Sequence, residues 1–326
     1  MSDNLPSVTV LIAARPDQAE IKAVNAARQL DYPSDRLEII VARGKQPSVQ
    51  RNAAMKAARG ELIYFLDDDS EPGPGNLRRA NVHFSDPAVK MVGGPNLCPP
   101  GAPPLEQVFA VVLASRLAFG PSRARYAAVG NARATSEKEL ILCNLLARRE
   151  AMLELGGFNE ALYPNEENAL MDELQKRGGK LIYDPQLFVR RRPRRTLKSF
   201  AKMLMTYGRG RAEQFRLNPT FGSALNFVPP LFCLYFIVLA VVQITQCGRP
   251  LAVWSAAPLG LYTLVVVLQT LASMRAHGVM RSLLAMPLLV ASHTLYGFGF
   301  WRGLFTKLNQ GENPRQAEVV LESIAR

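Results

Sequence analysis

The sequence predicts an α/β domain with a mainly parallel sheet flanked by helices, followed by a basic interfacial helix and an all-α transmembrane region. Three observations carry this. Short β-rich runs alternate with helical ones over the first 190 residues. Residues 190–216 then hold ten basic side chains against one acid, Glu213. Three long, almost uncharged apolar runs follow.

VTVLIA at residues 8–13 is the first strand, and residues 17–30 continue with helical spacing, with Ile21, Val24 and Leu30 on one side. LEIIVA at 37–42 is the second strand. Ser48 caps the helix over residues 49–58, and Gly60 ends it. ELIYFL at 61–66 is the third strand, with Asp67, Asp68 and Asp69 at its carboxyl end. Strands separated by helices of this size form a mainly parallel sheet. Such sheets bind ligands beyond the carboxyl ends of their strands. Two carboxylates one residue apart there can share a hard divalent cation, which prefers oxygen ligands and keeps phosphate oxygens in its shell. An acidic turn that only stops the strand has the same composition; the setting after Tyr64, Phe65 and Leu66 favours the cation site.

Residues 225–244, 251–273 and 283–301 each approach the ~20 residues that cross ~30 Å of hydrocarbon. None contains an acid or a strong base, and His293 is their one ionisable group. Buried helices of a soluble core would keep a polar outer face, which these lack. Positive-inside counting puts residues 190–216 in the cytosol. The first run then exits and the second returns, leaving Arg275, His277 and Arg281 in the cytosol. A third crossing would put Arg302, Lys307 and Arg315 outside, against the rule. That segment therefore either spans despite this or is re-entrant or interfacial. The expected parts are residues 1–190, 191–220, 221–305 and a C-terminal tail at 306–326.

Composition excludes other classes. The 326 residues are 48% hydrophobic and 20% charged, so the chain is no disordered tail. Cys98, Cys143, Cys233 and Cys247 have neither CxxC nor CxH spacing, which argues against structural zinc or a disulfide framework. MSDNLPS lacks the basic start of a signal peptide. The net charge of +12 calls for a polyanionic partner. It sits beside the apolar runs and not on a soluble basic stripe with stacking aromatics, so anionic membrane lipid is expected and nucleic acid is not.

The polar half resembles a family 2 glycosyltransferase of the GT-A fold. The resembling features run in order: the strand at 8–13, RNAAMKAARGELIYFLDDDSEP at 51–72, VGGP at 92–95, and ILCNLLARREAMLELGGFNEALYPNEENALMDELQKRG at 141–178 with its GGF turn and acidic pair. The resemblance covers about the first 190 residues. It implies a nucleotide-diphosphate sugar donor, a divalent cation (Mn²⁺ or Mg²⁺) and transfer with inversion. Asp67 and Asp69 match the DxD motif that holds metal and donor, with Asp68 and Arg51 on the donor side. Glu166 and Glu167 stand where the family has Glu-Asp, whose second acid is the general base. Glu167 takes that role, with Glu166 as the other candidate. Such a base accepts the proton of the attacking hydroxyl, while a metal offsets charge on the diphosphate. Two acids at a helix N-terminus also suit the macrodipole.

The sequence departs from the family at two strand ends. Ala42 and Arg43 replace the acidic pair that reads the nucleotide base, and AARPD at 13–17 replaces proline-x-asparagine-glutamate, with Asp17 or backbone groups left to serve. Arg43, Lys45 and Arg51 face phosphates, or the first two lie in a solvated basic loop. The glutamine-arginine-tryptophan signature of processive synthases is absent, and TYGRGRAEQF stands at 206–215. There Arg209 and Arg211 reach the donor diphosphate or an acceptor phosphate, or rest on anionic headgroups. Three spans leave little material for a polymer channel, so a single addition is expected. Residues 105–120 pack in the core or dip toward the membrane. His293 is a hydrogen-bonded packing residue or an intramembrane functional group; Gly297, Gly299 and Gly303 permit close helix contact. The expectation is a membrane-anchored inverting glycosyltransferase, multi-pass in the inner membrane with its catalytic domain in the cytosol. It adds one sugar to a lipid-linked or glycan acceptor in envelope or exopolysaccharide synthesis. The alternative is a catalytically degenerate sugar-nucleotide-binding membrane scaffold.

Overall fold

The computed structural model describes residues 5–160, 166–217, 219, 221–306 and 318–325. Met1–Pro100, Pro121–Arg192 and Asn309–Arg326 form one compact unit; Gly101–Gly120 and Pro193–Leu308 form a second.

The first unit opens with β1 (Val8–Ala14), α1 (Lys22–Arg28), β2 (Leu37–Arg43), α2 (Pro47–Ala57) and β3 (Leu62–Asp67). It continues with β4 (Glu71–Pro72), α3 (Asn76–His83), β5 (Val89–Gly93) and β6 (Asn96–Leu97). Two helices of the second unit, α4 (Pro104–Leu113) and α5 (Arg116–Phe119), then intervene. After them come β7 (Arg133–Thr135), β8 (Asn144–Arg148), α6 (Arg149–Glu154), α7 (Glu166–Lys176), β9 (Lys180–Tyr183) and β10 (Val189–Arg190). The rest of the chain is α8 (Leu197–Leu217), α9 (Val228–Thr245), α10 (Pro250–His277), α11 (Val279–Phe305) and β11 (Val320–Ile324).

β2, β1 and β3 are parallel, with Val8 opposite both Leu37 and Leu62. Later strands make the sheet mixed, in the order β11-β2-β1-β3-β8-β5-β9-β7. β8 runs antiparallel to β3 and β5, β9 parallel to β5, and β7 antiparallel to β9. Both faces are covered, which is why β1 and β3 read as continuous apolar runs. Val10, Ile12, Tyr64 and Leu66 share one core with Ala23 and Ala27 of α1 and Leu77 and Ala80 of α3. Leu11, Ile63 and Phe65 share the other with Ala54 and Met55 of α2, Met152 of α6 and Met171 of α7. The helices after β1 and β2 therefore lie on opposite faces. The strand order switches between β1 and β3, and such sheets bind ligands beyond the carboxyl ends of their strands at that point.

Three local expectations are corrected. The first helix begins at Lys22, not at residue 17, because Gln18 closes a turn onto Arg15 and Ile21 is extended. α2 begins at Pro47, whose missing N–H costs nothing at a first helical position, so Ser48 lies buried in the first turn and is not the cap. Gly60 does not terminate that helix, which ends at Ala57. Gly60 is required because a Cβ there would lie 2.4 Å from the backbone nitrogen of Thr9.

In the second unit α8 and α11 meet backbone to backbone. A Cβ on Gly208 would lie 2.1 Å from the Tyr296 carbonyl, one on Gly299 2.1 Å from the Met205 carbonyl, and one on Gly303 2.4 Å from the Arg209 carbonyl. Gly297 meets Cys233 Sγ and the Pro229 carbonyl of α9 in the same way. Small residues are what such an approach demands. Phe109 of α4 stacks on Phe200 of α8 with centroids 4.2 Å apart, so residues 105–120 pack into the core of this unit. His293 is a packing residue: Nε2 donates to the Leu117 carbonyl at 3.1 Å, and Nδ1 accepts from the Tyr262 hydroxyl at 2.8 Å.

Three helices are long and apolar enough to cross a membrane: Ala224–Thr245, Pro250–His277 and Val279–Phe305. The expected tail holds the surprise. Val320–Ile324 is a strand, β11, paired antiparallel with β2 through Val320 opposite Arg43 and Ile324 opposite Ile39. The chain leaves the first unit at Arg192 and has rejoined its sheet by Val320.

Candidate active site

Asp67 ends β3, level with Ala13 of β1, at the carboxyl ends of those two strands. Ser70 N–H closes a tight turn onto the Asp67 carbonyl at 3.0 Å, and the Asp68 carbonyl accepts from Ala23 N–H at 3.1 Å. The acidic triplet thus leaves the strand in a fixed turn.

Arg51, projecting from α2, enters this end of the sheet with only 9% of its side chain exposed. Its Nη2 meets Asp67 Oδ1 at 3.1 Å, and its Nη1 meets Glu166 Oε1 at 3.3 Å. Glu166 is the first residue of α7 and is 4% exposed; Glu167, next in the same turn, is half-buried. One guanidinium therefore joins the strand-end acid to the acidic pair across 115 residues of sequence. Asn52 supports the same junction. Its Oδ1 accepts from Phe158 N–H and its Nδ2 donates to the Phe158 carbonyl, both at 2.8 Å. Gly157, at φ 83°, has no room for a Cβ, which would lie 2.4 Å from Asn52 Oδ1. The arginine–asparagine pair and the GGF turn are two halves of one joint.

Beyond β3 a buried polar chain sets the frame. Asn76 donates to the Tyr64 hydroxyl at 3.0 Å, which donates to Asn144 Oδ1 at 2.8 Å, and Asn144 Nδ2 donates to the Leu187 carbonyl at 2.8 Å. Burial pushes the Tyr64 phenol far up, so it stays a neutral donor. Gly94 of the VGGP turn must be glycine, since a Cβ would lie 1.9 Å from the Leu187 carbonyl.

A second arginine closes the site. Arg191 follows β10, which pairs antiparallel with β4 just after the acidic triplet. Its Nη1 lies 3.0 Å from Asp67 Oδ2 and its Nε 2.5 Å from Asp69 Oδ1. Burial alone would lower its pKa; Asp67 first, then Cys143 and Asp69, outweigh this and hold it well above the ordinary value. Beneath it burial pushes the Cys143 thiol up to about 12, against the pull of Arg191. Asp67 and Asp69 thus converge on one cationic group, which is the chemistry a divalent cation needs of them. Among the described residues no cluster of three or more His, Cys, Asp or Glu could hold a metal. Two carboxylates leave the rest of a shell to phosphate oxygens and water, the usual state of Mg²⁺ on a protein.

Of the residues singled out from the sequence, Asp67, Asp69, Arg51 and Glu166 come together, with Glu167 beside them on α7. Arg43 is engaged within the chain. It pairs with Glu322 of β11 at 2.6 Å and donates to the Gln18 carbonyl at 2.7 Å. Asp17 is exposed. Arg209 and Arg211 lie on α8, where Arg209 pairs with Glu213 at 3.4 Å and Arg211 donates to Gln214 at 3.0 Å. Sequence reasoning missed Arg191, which it counted only as one charge in the basic cluster. Its signal was its place two residues before Pro193, where the α/β unit ends.

A solved structure shares the architecture. The mannosyltransferase PcManGT of Pyrobaculum calidifontis, solved with GDP-Man and Mn²⁺, aligns over 93% of this chain and 88% of its own, with a TM-score of 0.53 at 17% identity. An acid-ended strand at the switch point of this mixed sheet is the layout of a GT-A glycosyltransferase. The profile described as glycosyltransferase like family 2 matches residues 1–206, and the chain belongs to that family. The succinoglycan biosynthesis protein ExoA of Rhizobium meliloti is 27% identical over 191 residues, 58% of this chain and 54% of the relative. The pre-mycofactocin glycosyltransferase of Mycobacterium tuberculosis is 27% identical over 166 residues, 50% of this chain and 34% of the relative. The chain thus spans between a third and about half the length of these curated relatives.

Proposed function

We propose that this glycosyltransferase moves one sugar, with inversion, from a nucleotide-diphosphate sugar to a lipid-linked or glycan acceptor at the cytoplasmic face of the inner membrane. The observation that carries it is the Arg51 bridge, which holds the strand-end acid and the acidic pair together. Donor handling and proton acceptance need carboxylates in that juxtaposition. The relative that makes succinoglycan and the Mn²⁺- and GDP-Man-bound neighbour support the sugar-nucleotide reading.

Asp67 and Asp69 would hold a divalent cation, which when bound supplies positive charge opposite the departing diphosphate. Glu166 is committed to Arg51 and fixes the start of α7. Glu167 accepts the proton of the acceptor hydroxyl as that oxygen attacks the anomeric carbon and the bond to the diphosphate breaks on the other side. Arg209 and Arg211 serve phosphate or headgroup contacts on α8. Of the apolar helices, α9 and α10 cross the bilayer. α11 stays at the cytoplasmic side, supported by its glycine contacts with α8 and by its burial, 33% of its apolar stretch against 17% and 11% for the other two. The exposed apolar side chains of α9 and α10, among them Leu231, Ile237, Trp254 and Leu264, meet lipid acyl chains.

The test is thermal unfolding of the detergent-purified protein with UDP, GDP, dTDP or CMP, each with Mn²⁺, Mg²⁺ or EDTA. A ligand at a hundred times its Kd adds about 2.7 kcal/mol to the folded state. One nucleotide is expected to raise the Tm only with metal, and Asp69→Asn to remove that rise while leaving the protein folded. A metal-independent rise, or none with any nucleotide, counts against the reading. Metal-dependent binding without sugar transfer to a membrane-lipid extract would favour the degenerate scaffold.

A further inference from the structure

Arg191 lies where the cation would. Its guanidinium forks between Asp67 Oδ2 and Asp69 Oδ1, at 3.0 and 2.5 Å. The other Asp67 oxygen, Oδ1, is taken by Arg51. Arg191 thus holds one oxygen of each carboxylate that a metal would draw on. Two carboxylates turned toward one point repel each other unless a cation sits between them. Arg191 meets that need from within the chain. We propose that Arg191 is a displaceable internal cation: it holds the DxD carboxylates in the metal-free protein, gives way to the divalent ion, and then pairs with the diphosphate of the donor. This rests on the reading of Asp67 and Asp69 as the metal-binding pair.

Three further observations support an exchange by side-chain rotation alone. The Arg191 backbone is pinned, since its N–H donates to the Leu97 carbonyl at 3.1 Å. The preceding residue is held in the small sheet β4-β10-β6, with Arg190 opposite Glu71. The side chain retains 26% exposure, so it has open space to turn into. A released guanidinium beside a diphosphate has a natural partner, because its planar fork matches phosphate oxygens bidentately. The device makes metal alone a poor ligand and metal with diphosphate a good one, so the two bind together.

The test is Mn²⁺ binding to the full-length protein in detergent, read from the electron paramagnetic resonance of free Mn²⁺, with and without inorganic pyrophosphate. Arg191→Met is expected to bind Mn²⁺ alone about tenfold more tightly than wild type, since nothing has to be displaced, and Mn²⁺ with pyrophosphate about tenfold more weakly. Unchanged or weaker binding of Mn²⁺ alone would overturn the exchange. Undiminished binding of Mn²⁺ with pyrophosphate would overturn the diphosphate role. If Arg191→Met does not fold, Arg191→Lys asks the same question. Its ammonium cannot fork across both carboxylates, so Mn²⁺ alone must again bind more tightly than to wild type. Asp69→Asn separates the two levels: if it leaves Mn²⁺ affinity intact, the metal-site reading fails, whatever Arg191 does.

Discussion

Arg51 and Glu166 are among the most buried charges of the first unit, at 9% and 4% side-chain exposure. A buried charge that loses its partner costs about 3–5 kcal/mol, more than the pair contributes net. This separates the two glutamates by experiment. Glu167→Gln should lower kcat by about 10²- to 10⁴-fold, the usual worth of a general base, with the Tm unchanged. Glu166→Gln should lower the Tm, because Arg51 then faces one acid where it had two. Steady-state rates and melting curves of the two variants check this. A Glu166→Gln protein of normal Tm and lost kcat would exchange their roles.

The helix interface of α8 and α11 depends on side chains that are absent. A Cβ on Gly208 or Gly299 would lie 2.1 Å from a carbonyl oxygen of the partner helix. Carbonyl oxygens cannot rotate away as a flexible side chain can, so the helices must separate. Gly208→Ala and Gly299→Ala should each destabilise by about 1–3 kcal/mol, as overpacking does. Gly260, in the middle of α10 with open space around its Cα, is the matched control. Alanine there should be neutral or stabilise by up to about 1 kcal/mol through helix propensity. Melting of the three variants in one detergent is the measurement; equal behaviour would remove the close contact.

At the scale of the whole molecule, the pairing of β11 with β2 bears on the proposed membrane path, because an even number of crossings would return the chain to the side of its sheet. Its pairing with β2 is reinforced by Arg43 with Glu322 and by Arg28 Nε donating to the Ala325 carbonyl at 3.1 Å. On the proposed path of two crossings, the turn between α9 and α10 would be the outer loop; it carries the exposed Cys247. A membrane-impermeant maleimide should label Cys247 in intact cells, and Cys247→Ser should abolish that labelling. A C-terminal epitope should be reached only after the membrane is opened. An epitope accessible from outside would restore the third crossing.

The sequence by itself determined what depends on local order and composition. Short unbroken apolar runs rich in β-branched and aromatic residues, such as LIYFL, read as strands covered on both faces, and the arginine–asparagine helix, the triplet and the GGF turn are short, contiguous signals. The three long apolar helices follow from length and the absence of charge. Only the tertiary structure decided what depends on residues far apart. Arg51 reaches Glu166 across 115 residues, Arg191 reaches Asp69 across 122, and Glu322 reaches Arg43 across 279. No periodicity spans such distances. VLESI has no clean alternation, with Val320 and Leu321 both exposed, and reveals nothing of its partner. Its pairing is decided by the free edge that β2 offers, whose unpaired backbone groups seek a strand from wherever the chain supplies one.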